Sequence, residues 1–178
     1  HSEMPAMKEG KLLGFQLWIN MPAKSKMNKP EYLYIKNDQL GVHKDNEKII
    51  KVIAGKFENA EGPEKGHNVD PIYFHIVLEK DKEFKCDVPS GHNSFIYLLA
   101  GDLSVGKNKH DKTNNSNLIL LDRGDKLIVK ANKKSEFLFI AGKPIGEPIA
   151  RGGPFVMNTK AEILQAVQDY HNGTFAKY

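Results

Sequence analysis

Only one cysteine, Cys86, occurs in the 178 residues, so the chain can close no disulfide within itself, which favours a reducing, cytoplasmic setting. No histidine or cationic pattern flanks Cys86 to activate it as a nucleophile. Arginine is nearly as scarce: of 26 basic residues only Arg123 and Arg151 are arginine. Base-edge and phosphate readout leans on the planar guanidinium fork, and the lysines are interleaved with acids, as in EKDKEFK (79–85). The net charge of +4 therefore describes a solvated face, with no nucleic acid as a direct partner. No apolar run approaches the roughly 18 residues that cross a bilayer, so no membrane role is expected. Long-period repeats and low-complexity stretches are also missing. The glycine clusters GKPIG and RGGP lack the strand-turn-helix setting that a phosphate loop needs.

What is there is patterned for strands. Apolar residues make up 40% of the chain and charged residues 27%, enough for a sizeable core in one domain or one and a fraction. FQLWINM (15–21) alternates Phe15, Leu17, Ile19 and Met21 with Gln16, Trp18 and Asn20, a period of two that predicts a half-buried strand. Similar runs follow at EYLYI, KIIKVIAG, PIYFHIVLE, NSFIYLLAGDLSVG, NLILL, KLIVKA and EFLFIAG, separated by the turn clusters AEGPEKG, PSGHN and DRGD. Many short strands rich in Ile, Val, Tyr and Phe predict an all-β antiparallel sandwich or barrel. One helix closes the chain, over about 160–171. Thr159 is its expected N-cap, with Glu162 completing a capping box and Asn172-Gly173 supplying the stop. Ile163, Leu164, Val167 and Tyr170 follow at helical spacing, and the first three are expected to dock the helix on the sheet.

The chain opens HSEMP. Initiator methionine is not normally trimmed ahead of a residue as large as histidine, so position 1 is not expected to be where the gene starts. GFQLWINMPAKSKMNKPEY (14–32) and AGKPIGEPIARGGPFVMNTKAEILQAV (141–167) closely resemble the conserved blocks of the pirin family, and HSEMP resembles that family's metal-binding segment. The resemblance runs through essentially the whole chain. It implies a bicupin, two β-sandwich barrels in tandem, with the N-terminal cupin incomplete here. Residues 1–29 are the remnant of that first cupin, 30–142 form the C-terminal cupin, and 143–178 carry the helix back onto the N-terminal part.

The same resemblance implies an iron held by three histidines and one glutamate. His1 and Glu3 match the last two ligands. The first two belong to a His-Pro-His segment that lies further upstream in the family and is absent from these 178 residues, so the iron is expected to be partial or lost in this chain. Residues i and i+2 of an extended strand share a face, about 6 to 7 Å apart along the chain, so an imidazole and a carboxylate at that spacing can converge on one metal. A mixed nitrogen and oxygen set with open positions suits Fe(II) and oxygen chemistry.

Several pirins are similar in activity to quercetin 2,3-dioxygenase, in which a cupin metal engages a flavonol and oxygen and the ring opens with release of carbon monoxide. On that reading Glu3 is also the catalytic group that assists proton removal, and Gln16, Trp18 and Asn20 line the substrate pocket. Packing against a neighbouring sheet is the alternative for those three. Two other roles remain open: a regulator whose iron oxidation state switches a surface for transcription factors or metabolic enzymes, and a fragment with no activity of its own. The strands missing from the first cupin are expected to leave an apolar face near residues 12–21 that a symmetric partner, a homodimer, could cover.

Among the other histidines, His92 sits where a cupin metal motif begins, but Ser94 and the apolar run Phe95 to Leu99 occupy the places of the remaining ligands. A metal-free second cupin and a locally hydrogen-bonded turn histidine are expected. His75 lies within an apolar strand. His43, His67 and His110 are expected in polar loops and His171 at a helix end.

Overall fold

The computed structural model describes residues 9–64, 68–106, 111–113 and 118–176. The chain divides into two compact units, one formed by residues 35–144 and the other by residues up to 34 together with those from 145 onward.

The first unit is an antiparallel sandwich. Its strands are β1 (Gly41–Lys44), β2 (Lys48–Ala54), β3 (Lys56–Phe57), β4 (Ala60–Glu61), β5 (Ile72–Leu78), β6 (Glu83–Asp87), β7 (Asn93–Val105), β8 (Asp111–Thr113), β9 (Leu118–Leu121) and β10 (Lys126–Gly142). Eight of them form one sheet in the order β1-β2-β5-β10-β7-β8, with β6 paired to β10 and β9 paired to β7, while β3 and β4 make a separate hairpin.

The 17-residue β10 is the spine of this unit. Its first part, Lys126 to Lys130, pairs with β6, and its last part, Ser135 to Ala141, pairs with β5. The sequence pattern predicts two strands there, KLIVKA and EFLFIAG. One strand serves both because register shifts against β7 between Ala131 and Phe137 bend it without breaking it, as bulges do. Gly101, at φ +103, lies opposite this bend, and a Cβ there would strike the Ser135 side chain and backbone. Ser135 itself is buried, and its Oγ accepts from Asp102 N–H at 3.0 Å and donates to the Lys133 carbonyl at 2.7 Å.

Alternation along β2 and β5 sends Ile50, Val52, Phe74, Ile76 and Leu78 inward, all essentially solvent-free. Five phenylalanines fill the centre. Phe84 lies 5.6 Å from Phe57, 6.1 Å from Phe137 and 6.5 Å from Phe139, centroid to centroid, and Phe74 lies 6.1 Å from Phe139. Phe84 stacks on Phe57, meets Phe137 edge-on and tilts against Phe139, as Phe74 does, arrangements that suit the ring quadrupoles.

The second unit is smaller. A two-stranded ladder, β11 (Ala150–Gly152) with β12 (Phe155–Met157), precedes α1 (Lys160–His171). Thr159 caps the helix as the sequence predicts: its Oγ1 accepts from Glu162 N–H, and the Glu162 carboxylate accepts in return from Thr159 N–H. Gly173 follows at φ +68, a left-handed stop. The docking face departs from expectation. Ala166 is buried and Ile163 and Val167 are half-buried, whereas Leu164 is 71% exposed. Ile163 makes the tight contact, approaching Gly152 so closely that a Cβ there would lie 2.5 Å from Ile163 Cγ2. Phe155 packs on Tyr170 at 5.9 Å and on Phe175 at 5.0 Å, closing a small aromatic cluster.

FQLWINM and EYLYI, both expected as strands, pair with no other strand among the described residues. A strand needs a ladder partner for its backbone groups, and alternation alone cannot supply one.

Candidate functional site

His1 and Glu3 lie outside the described residues. The segment that follows is described from residue 9 onward. Leu12, Leu13, Phe15, Trp18 and Ile19 are between 45% and 78% exposed, so the apolar face expected near residues 12–21 is open. Within it Trp18 Nε1 donates to Gln16 Oε1 at 2.9 Å, so two of the three predicted pocket residues stand together. Asn20 is half-buried, and its Oδ1 accepts from Lys26 Nζ at 2.6 Å. Trp18 is 61% exposed, and its polar tip is satisfied by Gln16.

This segment is tied to the second conserved block by bonds that the strand pattern did not disclose. Ala23 N–H donates to Glu147 Oε2 at 2.8 Å, and Lys26 Nζ donates to the Val156 carbonyl at 3.0 Å. Asn158 Nδ2 donates to Glu147 Oε2 at 2.8 Å and to the Pro148 carbonyl at 3.0 Å. Asn158 N–H, Thr159 N–H and Thr159 Oγ1 all donate to Glu162 Oε2. The Thr159 hydroxyl and amide, with Asn158 N–H and the Lys26 charge adding less, hold the Glu162 carboxyl below its ordinary value against desolvation. Beyond the Thr159–Glu162 capping box, the advance signal of this network was that its members fall inside the two blocks that carry the pirin resemblance.

The remaining candidates belong to the sandwich. His75 Nε2 lies 2.7 Å from Glu136 Oε1 on the half-exposed outer face of β5 and β10. His43, expected in a loop, is on β1. Its Nε2 lies 3.1 Å from Asp45 Oδ2 and its Nδ1 3.0 Å from Glu58 Oε2, and its ring packs edge-on against Phe57 at 5.2 Å. The Lys48 ammonium and the Glu47 amide lead in pulling the Asp45 carboxyl down, with His43 adding to them. His92 is 7% exposed and reaches beyond its own turn: its Nε2 lies 3.2 Å from the carbonyl of Asp70, 22 residues away. Burial, helped by Asp87, pushes the Cys86 thiol up to about 12, so it is not a nucleophile at neutral pH. A cavity of about 550 Å³ opens between the β3–β4 hairpin, the loop before β5 and the turn after β6, lined in part by Lys56, Glu61, Glu64, Asp70 and Asp87.

Among the described residues no group of three or more His, Cys, Asp and Glu could hold a metal ion. The described residues therefore do not fit an iron by themselves, and the donors implied by resemblance are His1 and Glu3. No helix among the described residues is long and apolar enough to cross a membrane.

An antiparallel sandwich closed over a phenylalanine core, with a capped C-terminal helix, is of cupin type. Residues 73–176 match the pirin C-terminal cupin domain. The chain is similar to a pirin-like protein of Caulobacter vibrioides, 37% identical over 177 residues that cover 98% of this chain and 63% of that protein. It is similar to pirin of Homo sapiens, 34% identical over 97% of this chain and 60% of that one. Among solved structures it superposes on quercetin 2,3-dioxygenase from Acinetobacter baumannii with a TM-score of 0.80 and 31% identity, covering 90% of this chain and 56% of that one. The chain belongs to the pirin family. It spans less than two thirds of the length of each of these relatives.

Proposed function

We propose that this chain is part of a pirin-type cupin protein of quercetin 2,3-dioxygenase kind, acting on a flavonol-class small molecule with an iron held in part by His1 and Glu3. The observation that carries the reading is the division of labour between the two units. The sandwich of residues 35–144 has filled its interior with Phe57, Phe74, Phe84, Phe137 and Phe139, and this reading gives it a structural role. The segment that follows His1 and Glu3 instead presents an exposed indole and its hydrogen-bonded amide partner.

In this proposal residues 1–29 end a first cupin, 30–142 form the second, and 143–178 return to the first. The grouping of residues up to 34 with those from 145 onward supports it. His1 and Glu3 would supply one imidazole and one carboxylate, with the two further imidazoles coming from a His-x-His segment ahead of them. A bound iron supplies the redox chemistry that joins oxygen to the flavonol ring. The chain's own residues orient the substrate: the Trp18 indole offers a flat apolar face to a planar ring system. Glu3 takes the flavonol hydroxyl proton.

Aerobic incubation with iron and quercetin, in a polypeptide that adds a His-x-His segment ahead of His1, tests the reading. Loss of flavonol absorbance that vanishes on Glu3→Ala is expected, and no loss above the metal-free control would sink it.

The open apolar face of residues 12–21 favours a second reading, a regulator that docks a protein partner or a second copy there. A pull-down with and without iron separates the two, since a partner captured only in one iron state belongs to the regulator.

A further inference from the structure

The segment carrying Gln16 and Trp18 is held by no sheet ladder among the described residues, so its placement must come from elsewhere. Two side chains reach it from the far end of the sequence or toward it. Glu147 accepts the Ala23 amide, 124 residues away, and Lys26 joins Asn20, two residues past Trp18, to the Val156 carbonyl, 130 residues away. Ser25, within the one-turn 3-10 helix Ala23–Ser25, is 6% exposed, so this hook is seated and not splayed into solvent. The Glu147 carboxylate is itself fixed by Asn158 Nδ2, whose backbone amide is bonded to the Glu162 cap of α1. From Asn20 and Ala23, which follow Trp18 along the backbone, bonds thus run to the second conserved block and the helix cap, and those to Lys26, Glu147 and Glu162 are charge-assisted, the strong kind of hydrogen bond.

We propose that Glu147 and Lys26 are positioning residues that clamp the Gln16–Trp18 platform to the cap of α1, and that the platform so held stacks a planar aromatic ligand. Resting on the function proposed above, this takes that ligand to be the flavonol. Neither residue touches the ligand. Glu147 acts through the Ala23 amide and Lys26 through Asn20. A platform that wanders by an ångström loses the stacking that a fixed one gains, because positioning is lost steeply with displacement.

Trp18 is the only tryptophan, so intrinsic fluorescence reports this segment alone. Quercetin is titrated into wild type, Glu147→Ala, Glu147→Gln and Lys26→Met while Trp18 emission and anisotropy are followed, with free N-acetyltryptophanamide correcting for absorbance by the flavonol. Far-UV circular dichroism checks that each variant folds. The expected result is saturable quenching in wild type, and on the order of tenfold weaker binding with lower anisotropy in Glu147→Ala and Lys26→Met. Glu147→Gln, which keeps the acceptor oxygen, should restore both. Unchanged anisotropy in Glu147→Ala and Lys26→Met overturns the clamp. Lower anisotropy with unchanged quercetin affinity shows a structural tether only and overturns the positioning role. Lower anisotropy in variants of a wild type that binds no quercetin overturns the flavonol reading, and with it the role assigned to the platform.

Discussion

Truncating Phe84 probes the closed sandwich most sharply. Its ring is 0% exposed and has aromatic neighbours at 5.6, 6.1 and 6.5 Å, so Phe84→Ala removes one ring and strands three others around a cavity. Fully buried Phe→Ala substitutions cost about 3 to 5 kcal/mol. Three ring pairs, each about 0.5 to 1.5 kcal/mol beyond area burial, place this one toward the upper end. A unit of residues 35–144 has a total stability of roughly 5 to 15 kcal/mol, so about a third or more of it disappears. The thermal midpoint should fall by roughly 10 to 25 °C. Urea unfolding followed by far-UV circular dichroism measures the loss, because Trp18 fluorescence reports the other unit. Phe84→Leu, which keeps much of the volume, should cost less. A Phe84→Ala protein within about 1 kcal/mol of wild type, with an unchanged urea slope, would refute the claim that the interior is a packed aromatic core.

Two substitutions distinguish the docking face of α1 from its exposed one. Gly152→Ala should destabilise the second unit by about 1 to 3 kcal/mol through the clash with Ile163, and Leu164→Ala should stay within about 0.5 kcal/mol, both read by hydrogen exchange of the helix amides. The Glu162 carboxyl is held low when folded, so its contribution is present above the ordinary value of 4.5 and is lost as the pH falls through the lower folded one. Acidification should therefore loosen the first turn of α1 in wild type, and Glu162→Gln should flatten that dependence; an identical pH profile in both would contradict it. Cys86, pushed up to about 12, should resist Ellman's reagent at pH 8 in the native state and react fully in urea.

What was legible in the sequence was periodicity with a partner. β2, β5 and β7 appear where alternating Ile, Val and Phe predict them, because both edges of each find a neighbour. The Thr159 cap and Glu162 capping box were legible because capping is a local bond between residues three apart. FQLWINM has the same alternation and forms no strand, since pairing is a property of two segments and the pattern records one. Leu164 illustrates the limit within a helix. Spacing placed it with Ile163 and Val167, but the width of the buried stripe depends on what α1 meets, and here it takes in only Ile163, which abuts Gly152, with Ala166 and Val167. His92 reaches Asp70 and Glu147 reaches Ala23 across 22 and 124 residues, bonds that no local pattern encodes. For the candidate site, Gln16 and Trp18 were named from strand alternation and meet through a hydrogen bond, whereas Lys26, Glu147 and Asn158, which hold that segment, carried no motif of their own.

In the proposed function the metal belongs to the segment that begins at His1, and the sandwich of residues 35–144 has a structural role. Iron analysis after desalting, on a polypeptide that adds a His-x-His segment ahead of His1, tests this directly. About one iron per chain is expected, lost on Glu3→Ala and retained on His92→Ala, with the 178-residue chain alone holding far less. Iron that survives Glu3→Ala and disappears with His92→Ala would contradict it.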